Sequence, residues 1–211
     1  MTPRRSGKQR KFKHKPRKKS NNWPLAIVLF TVIVVAAVAV YVFSMNSPST
    51  PNSPTGDKVL LQTSMGDITI QLRDDKPTTT SNFKNLVQQG VYDGTIFHRV
   101  ISNFMVQGGS NSIASVASIP DEIGNDNHNI IGTVAMAKTS QPNSATSQFF
   151  INVADNSQIT YPDGTTFDGT YTVFGTVISG MDVANAISQV ATDSSDKPLT
   201  DVILIKAEII S

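Results

Sequence analysis

Phe97-His98-Arg99-Val100-Ile101-Ser102-Asn103-Phe104-Met105-Val106-Gln107-Gly108-Gly109 is the stretch from which this chain is best read. Phe97, Val100 and Ile101 are strand formers, Ser102-Asn103 is turn chemistry, and Phe104 to Gln107 returns to an extended pattern. The segment reads as strand, turn and strand. It sets one guanidinium, Arg99, among apolar neighbours. On its own, such an arginine suits a surface salt bridge as well as a site.

Working outward, residues 59–63 and 68–72 are short β-branched runs joined at Ser64-Met65-Gly66-Asp67, a hairpin pattern. Pro77 opens a helical pattern in which Phe83, Leu86 and Val87 share a face and Gly90 stops the run, with residues 78–81 offering several N-caps. Residues 110–129 read as an irregular surface loop. Its Asp121, Glu122 and Asp126 lack the spacing of a cation-binding loop and are expected to be solvated. Residues 131–136, 148–153, 173–178 and 202–210 read as strands, and Val183, Ala184, Ile187 and Val190 mark a second helix after Gly180. Seven or eight short strands with two helices suggest a barrel and not a parallel sheet. No P-loop, dinucleotide fingerprint or internal repeat occurs. With no cysteine and His14 in the basic tail, neither thiol chemistry nor a histidine-based metal site is indicated, and no serine has an arguable histidine partner.

The net charge of +2 conceals two unlike parts. Ten of the 18 Lys and Arg lie between Arg4 and Lys19, and no acidic residue precedes Asp57. The remainder holds 8 basic and 16 acidic residues, a formal −8. Residues 1–22, basic and without apolar period, are expected to be a disordered cytoplasmic tail. Leu25 to Phe43 is apolar or small throughout except Thr31. As a helix it would span about 28 Å, close to the roughly 30 Å hydrocarbon core. Trp23 and Tyr41 stand near its ends, so residues 23–43 read as one transmembrane helix, with the cations ahead of it keeping the N-terminus in the cytoplasm. A cleavable signal peptide is the rival; it fits less well, because the apolar run is long and Ala37-Val38-Ala39 lies inside it. Residues 44–57, with three prolines among small polar residues, form a linker that could reach roughly 40 Å from the bilayer. Residues 58–211 would then be an extracytoplasmic domain of a cell-membrane protein. The adjacent span argues against specific nucleic-acid recognition by the tail and favours weak attraction to anionic lipid headgroups.

The opening stretch has companions: Gly132-Thr133-Val134-Ala135-Met136-Ala137-Lys138, then Asn143-Ser144-Ala145-Thr146-Ser147-Gln148-Phe149-Phe150-Ile151, then Phe167-Asp168-Gly169-Thr170-Tyr171-Thr172-Val173-Phe174-Gly175. In order and spacing these resemble the active-site signatures of the cyclophilins, peptidyl-prolyl cis/trans isomerases, over roughly residues 58–211. The resemblance implies a mainly β fold: a closed eight-stranded antiparallel barrel capped by two α-helices. It implies catalysis by Arg99 without metal or cofactor. It implies a proline pocket lined by Phe104, Met105, Phe150 and Phe167, with Gln107 orienting Arg99 or the substrate carbonyl. Ala137 and Lys138 would run beside the peptide, Ala137 offering backbone hydrogen bonds, and His98, Gln148 and Tyr171 would complete the groove. His98 is open between groove wall and structural ring. Two positions depart from the family pattern. Thr166 stands where tight cyclosporin binders usually have Trp, which predicts weak cyclosporin binding, and Lys138 stands where many members have Asn or Arg. The expected substrates are proline-containing unfolded or partly folded polypeptides, in the folding of exported or envelope proteins by a monomer. The competing reading is a non-catalytic, membrane-tethered module that captures proline segments.

Overall fold

The computed structural model describes residues 56–111, 115–124 and 126–210. The basic tail, the apolar run and the linker up to residue 55 lie outside these. Among the described residues no helix is long and apolar enough to cross a membrane.

The strands are β1 (Lys58–Thr63), β2 (Gly66–Leu72), β3 (Thr95–Ile96), β4 (Arg99–Ile101), β5 (Met105–Gly108), β6 (Thr133–Met136), β7 (Phe149–Asn152), β8 (Val173–Ser179) and β9 (Ile203–Ile210). The helices are α1 (Pro77–Gln88) and α2 (Met181–Ile187). The strands form one sheet in the order β3-β9-β1-β2-β8-β6-β7-β5-β4, and every pairing is antiparallel. This corrects the expected closed eight-stranded barrel: nine strands are described, and no hydrogen-bonded ladder joins the two edges. The edge strands β3 and β4 are instead consecutive in the chain, separated only by Phe97-His98. The run that reads as one strand changes partner halfway. Phe97 still donates its N–H to the Val202 carbonyl beyond the start of β9 (2.9 Å), whereas Arg99, Val100 and Ile101 pair with β5. Register shifts in β1, β2 and β6 add the local bends that let a short-stranded sheet curl.

The core follows from period-2 burial on one side of this sheet and the apolar stripe of α1. Phe83 of α1 packs against Tyr92 (centroids 5.0 Å), Phe149 (5.5 Å) and Phe174 (4.8 Å). The buried Tyr92 hydroxyl donates to the Ser147 carbonyl at 3.0 Å. Gly109 ends the opening motif because the site admits nothing larger: its φ is +75°, and a Cβ would lie 2.9 Å from the Tyr92 ring and 3.0 Å from that of Phe149.

Two expectations for the 110–129 loop and α1 need correction. The helix begins at Pro77, whose missing N–H costs nothing at the first position, so residues 78–81 lie inside the helix and none is the N-cap. Its N-cap residue, Lys76, makes no side-chain cap. The cap comes from Glu122, whose carboxylate accepts Thr78 N–H (3.1 Å), Thr79 N–H (2.8 Å) and the Thr79 hydroxyl (2.7 Å). Glu122 is therefore tied to a helix N-terminus and not simply solvated, and its charge suits that end of the dipole. Asp121 is engaged as well, with Lys138.

Burial raises the Glu122 pKa, but the hydrogen bonds from Thr79 and Thr78 outweigh it and the net shift is downward. Because the folded carboxyl is the more acidic, its contribution is complete above the unfolded value and disappears as pH falls through the folded one. Glu122→Ala is expected to cost about 1 kcal/mol at neutral pH, as loss of a helix cap does. Urea denaturation should show this, with the gap to the wild type narrowing in acid; equal midpoints at pH 7 would contradict the cap.

Candidate active site

The strands β5, β7 and β6 are only four residues each, and all twelve residues but Gln107 are buried. Alternation explains how. Val106, Val134, Met136, Phe149 and Ile151 face the main core, while Met105, Ala135 and Phe150 belong to a second apolar cluster on the opposite face. The register then builds a row across this second face. Arg99 is opposite Gln107, Gln107 opposite Phe150, and Phe150 opposite Ala135. With strands about 4.8 Å apart, a long side chain at one end of the row can reach groups near its middle.

The loop after β7 closes over this face with aromatic rings. Phe167 meets Phe104 at 5.5 Å, Phe150 at 5.7 Å and Tyr171 at 4.6 Å, and Phe150 meets Tyr171 edge-on at 5.4 Å. Between the rings and the row lies a cavity of ≈ 500 Å³. Nine predicted residues line it: the guanidinium of Arg99, the rings of Phe104, Phe150, Phe167 and Tyr171, and Met105, Gln107, Ala137 and Lys138. The other two predicted residues, His98 and Gln148, are not in the lining. Gln148 stands behind it, accepting the Gln107 side-chain N–H (2.9 Å) on its side chain and the Ala137 N–H (2.9 Å) on its backbone carbonyl. The Ala137 N–H is thus committed internally. His98 is half-buried, and no described residue gives its buried Nδ1 a hydrogen bond of ordinary geometry. Burial lowers the His98 pKa, against opposing pulls from the Ile96 backbone and Gln148, and Arg99 adds to the lowering.

Two ion pairs set the charges. The Lys138 ammonium is held by Asp121 at 2.7 Å with both side chains mostly buried, and the same carboxylate oxygen accepts the Asn143 N–H at 3.0 Å. Lys138 therefore presents its stem to the cavity with its charge engaged. Arg99 is half-exposed at the rim, with its Nε 3.5 Å from the Asp196 carboxylate.

Tyr161 also lines the cavity, and sequence reasoning missed it. It stacks on Phe167 at 6.4 Å, and its hydroxyl is 3.5 Å from that of Tyr171. Burial, reinforced by Tyr171, keeps its hydroxyl protonated. The available signal was the alternation Ile159-Thr160-Tyr161 inside an otherwise polar loop. Buried asparagines were missed too. Asn127 donates to the Asp168 (2.6 Å) and Tyr171 (2.8 Å) carbonyls and accepts Val173 N–H (2.8 Å), clamping the aromatic loop. Asn156 donates to the Phe104 carbonyl (2.9 Å) and to Asn152 (2.7 Å). Among the described residues no group of three or more His, Cys, Asp or Glu could hold a metal.

A pocket walled by aromatic rings with one guanidinium at its rim can bind a small apolar ring and direct hydrogen-bond donors at an atom beside it. The comparisons with known proteins agree with such chemistry. Residues 58–209 match the family model of the cyclophilin type peptidyl-prolyl cis-trans isomerase. Peptidyl-prolyl cis-trans isomerase A of Dickeya dadantii is 44% identical over 188 residues, covering 84% of this chain and 97% of that protein. Peptidyl-prolyl cis-trans isomerase B of Escherichia coli is 44% identical over 156 residues, covering 69% and 95%. A crystal structure of a Cryptosporidium parvum cyclophilin type isomerase, obtained in the presence of the dipeptide Ala-Pro, superposes with a TM-score of 0.62 at 30% identity, covering 73% of this chain and 99% of that one.

The lowered His98 pKa has a direct readout. In an NMR pH titration the His98 ring is expected to protonate below the ordinary histidine value of about 6.5, staying neutral at pH 7. A midpoint above that value would show that burial does not govern the ring.

Proposed function

The chain belongs to the cyclophilin-type peptidyl-prolyl cis-trans isomerases and is an enzyme of that activity; we propose that Arg99 is its catalytic donor and that the pocket under Phe167 takes the substrate proline. The observation that carries this is the cross-strand row in which Arg99, Gln107 and Phe150 are successive partners lining one ring-walled cavity.

Amide resonance gives the X-Pro bond a barrier of roughly 18–20 kcal/mol, and unaided exchange takes tens to hundreds of seconds. No bond is broken, so the enzyme's task is to favour the twisted state. There the prolyl nitrogen becomes pyramidal and gains a lone pair that the planar amide does not offer. Met105, Phe104, Phe150 and Phe167 would hold the pyrrolidine ring and exclude water. Arg99, charged at any working pH, would donate to the emerging lone pair. Such a bond strengthens in the transition state and so lowers the barrier instead of merely tightening binding. Gln107, fixed by Gln148, is placed in this reading to hold the substrate backbone. Lys138, Ala137, Tyr171 and the newly found Tyr161 form the walls of the peptide groove, and His98 serves as a structural ring behind it.

A charge-assisted hydrogen bond of about 1.5–3 kcal/mol corresponds to roughly 10- to 150-fold in rate. Arg99→Ala should lower kcat/KM for a proline peptide by that amount in an NMR exchange or protease-coupled assay, with the fold retained. Unchanged turnover would refute the assigned donor. Absence of turnover in the wild type would favour the non-catalytic capture module.

The place of work is proposed on the sequence pattern of residues 1–57. The apolar run anchors the chain in the cell membrane, the basic tail lies in the cytoplasm against anionic headgroups, and the isomerase domain acts outside on exported or envelope proteins. Protease added to intact cells should remove the domain; its protection would reverse this orientation.

A further inference from the structure

We propose that Asp196 is a positioning residue for Arg99, holding the guanidinium by its Nε so that its two terminal nitrogens are left for the prolyl nitrogen. This rests on Arg99 being the catalytic donor. Arg99 sits on a three-residue edge strand and its side chain is 44% exposed, so packing alone does little to restrain a long, flexible stem. The one ion pair described for it is to Asp196, at 3.5 Å from Nε. No described hydrogen bond or ion pair engages its terminal nitrogens.

Asp196 is itself a fixed point. Its backbone carbonyl accepts the Val100 N–H at 2.8 Å, which ties it to the strand that carries Arg99. Its own N–H donates to the Asp193 carbonyl at 3.2 Å. The Asp193 carboxylate accepts the Ser195 (2.8 Å) and Lys197 (3.0 Å) N–H groups, and a β-bridge from Thr192 to Pro198 closes the loop. At the tip, Asp196 has φ +63°, in the left-handed region. Gly, Asn and Asp are the residues that enter this region most readily. Of these three, only Asp adds a charge. The backbone therefore explains a small residue at 196, and the ion pair gives the carboxylate a use.

The same φ supplies a clean test. Asp196→Asn removes the charge and Asp196→Gly the whole side chain, and both suit the backbone, so the fold and melting temperature should be kept. In the full-length chain, with an uncharged, end-capped Ala-Pro peptide, both variants are expected to lose about two- to fivefold in kcat/KM at low salt, the range of a half-exposed ion pair. Rising salt should bring the wild type down toward the variants and leave them nearly unchanged. In the Arg99→Ala background, Asp196→Asn should have no further effect. Wild-type turnover in both charge-removing variants at low salt would overturn the proposal, as would a loss that is insensitive to salt or persists without Arg99. If Arg99→Ala alone keeps wild-type turnover, the donor assignment falls, and with it this inference.

Discussion

Phe149 and Phe150 are neighbours in sequence and point to opposite sides of one strand, and most of the structure depends on that geometry. Phe149 is gripped by Phe83, Tyr92 and Phe97 in the main core. Phe150 forms the floor of the second cluster beneath Phe167 and Tyr171. Because side chains alternate strictly along a strand, a slip of one residue would exchange the two rings and empty both sides at once. Core packing thus fixes the register that brings Arg99, Gln107 and Phe150 into one row. Stability and site geometry here are two readings of a single strand.

The pocket is held from above by polar groups. Asn127 spends its amide on the backbone of the aromatic loop, and Asp168 accepts the Asn129 N–H at 2.7 Å. Asn152 and Asn156 continue this buried chain toward Phe104. Fully satisfied buried polar networks define a unique arrangement more sharply than apolar contact does. The rings that would meet a substrate proline are therefore carried on backbone with little freedom, which suits a site whose effect depends on donors and walls already in place.

Sequence reasoning recovered what is local. The first hairpin, the start of α1 at Pro77, its end before Gly90, and most strand positions can be read from propensity and punctuation over a few residues. The residues of the site were legible through motif resemblance, and nine of the eleven named do meet at one cavity. What failed was non-local. Nothing near Glu122 announces that it caps a helix more than 40 residues earlier in the chain. The Asp121–Lys138 pair and the link from Asp196 to Arg99 join segments that only the folded sheet brings together. The partner change between Phe97 and Arg99 was hidden because both sides of the break carry strand-forming residues, so propensity saw one strand where pairing makes two. Tyr161 lies between the strands read at 148–153 and 173–178, where no element was expected.

That partner change makes the terminal strands β3 and β4 only two and three residues long, joined to each other by a two-residue corner. An exposed strand edge is a template on which another extended chain can pair. An isomerase of this family takes proline-containing peptides as its substrates. Terminal strands this short, joined through the chain, leave few backbone groups of their own for such a segment to pair with.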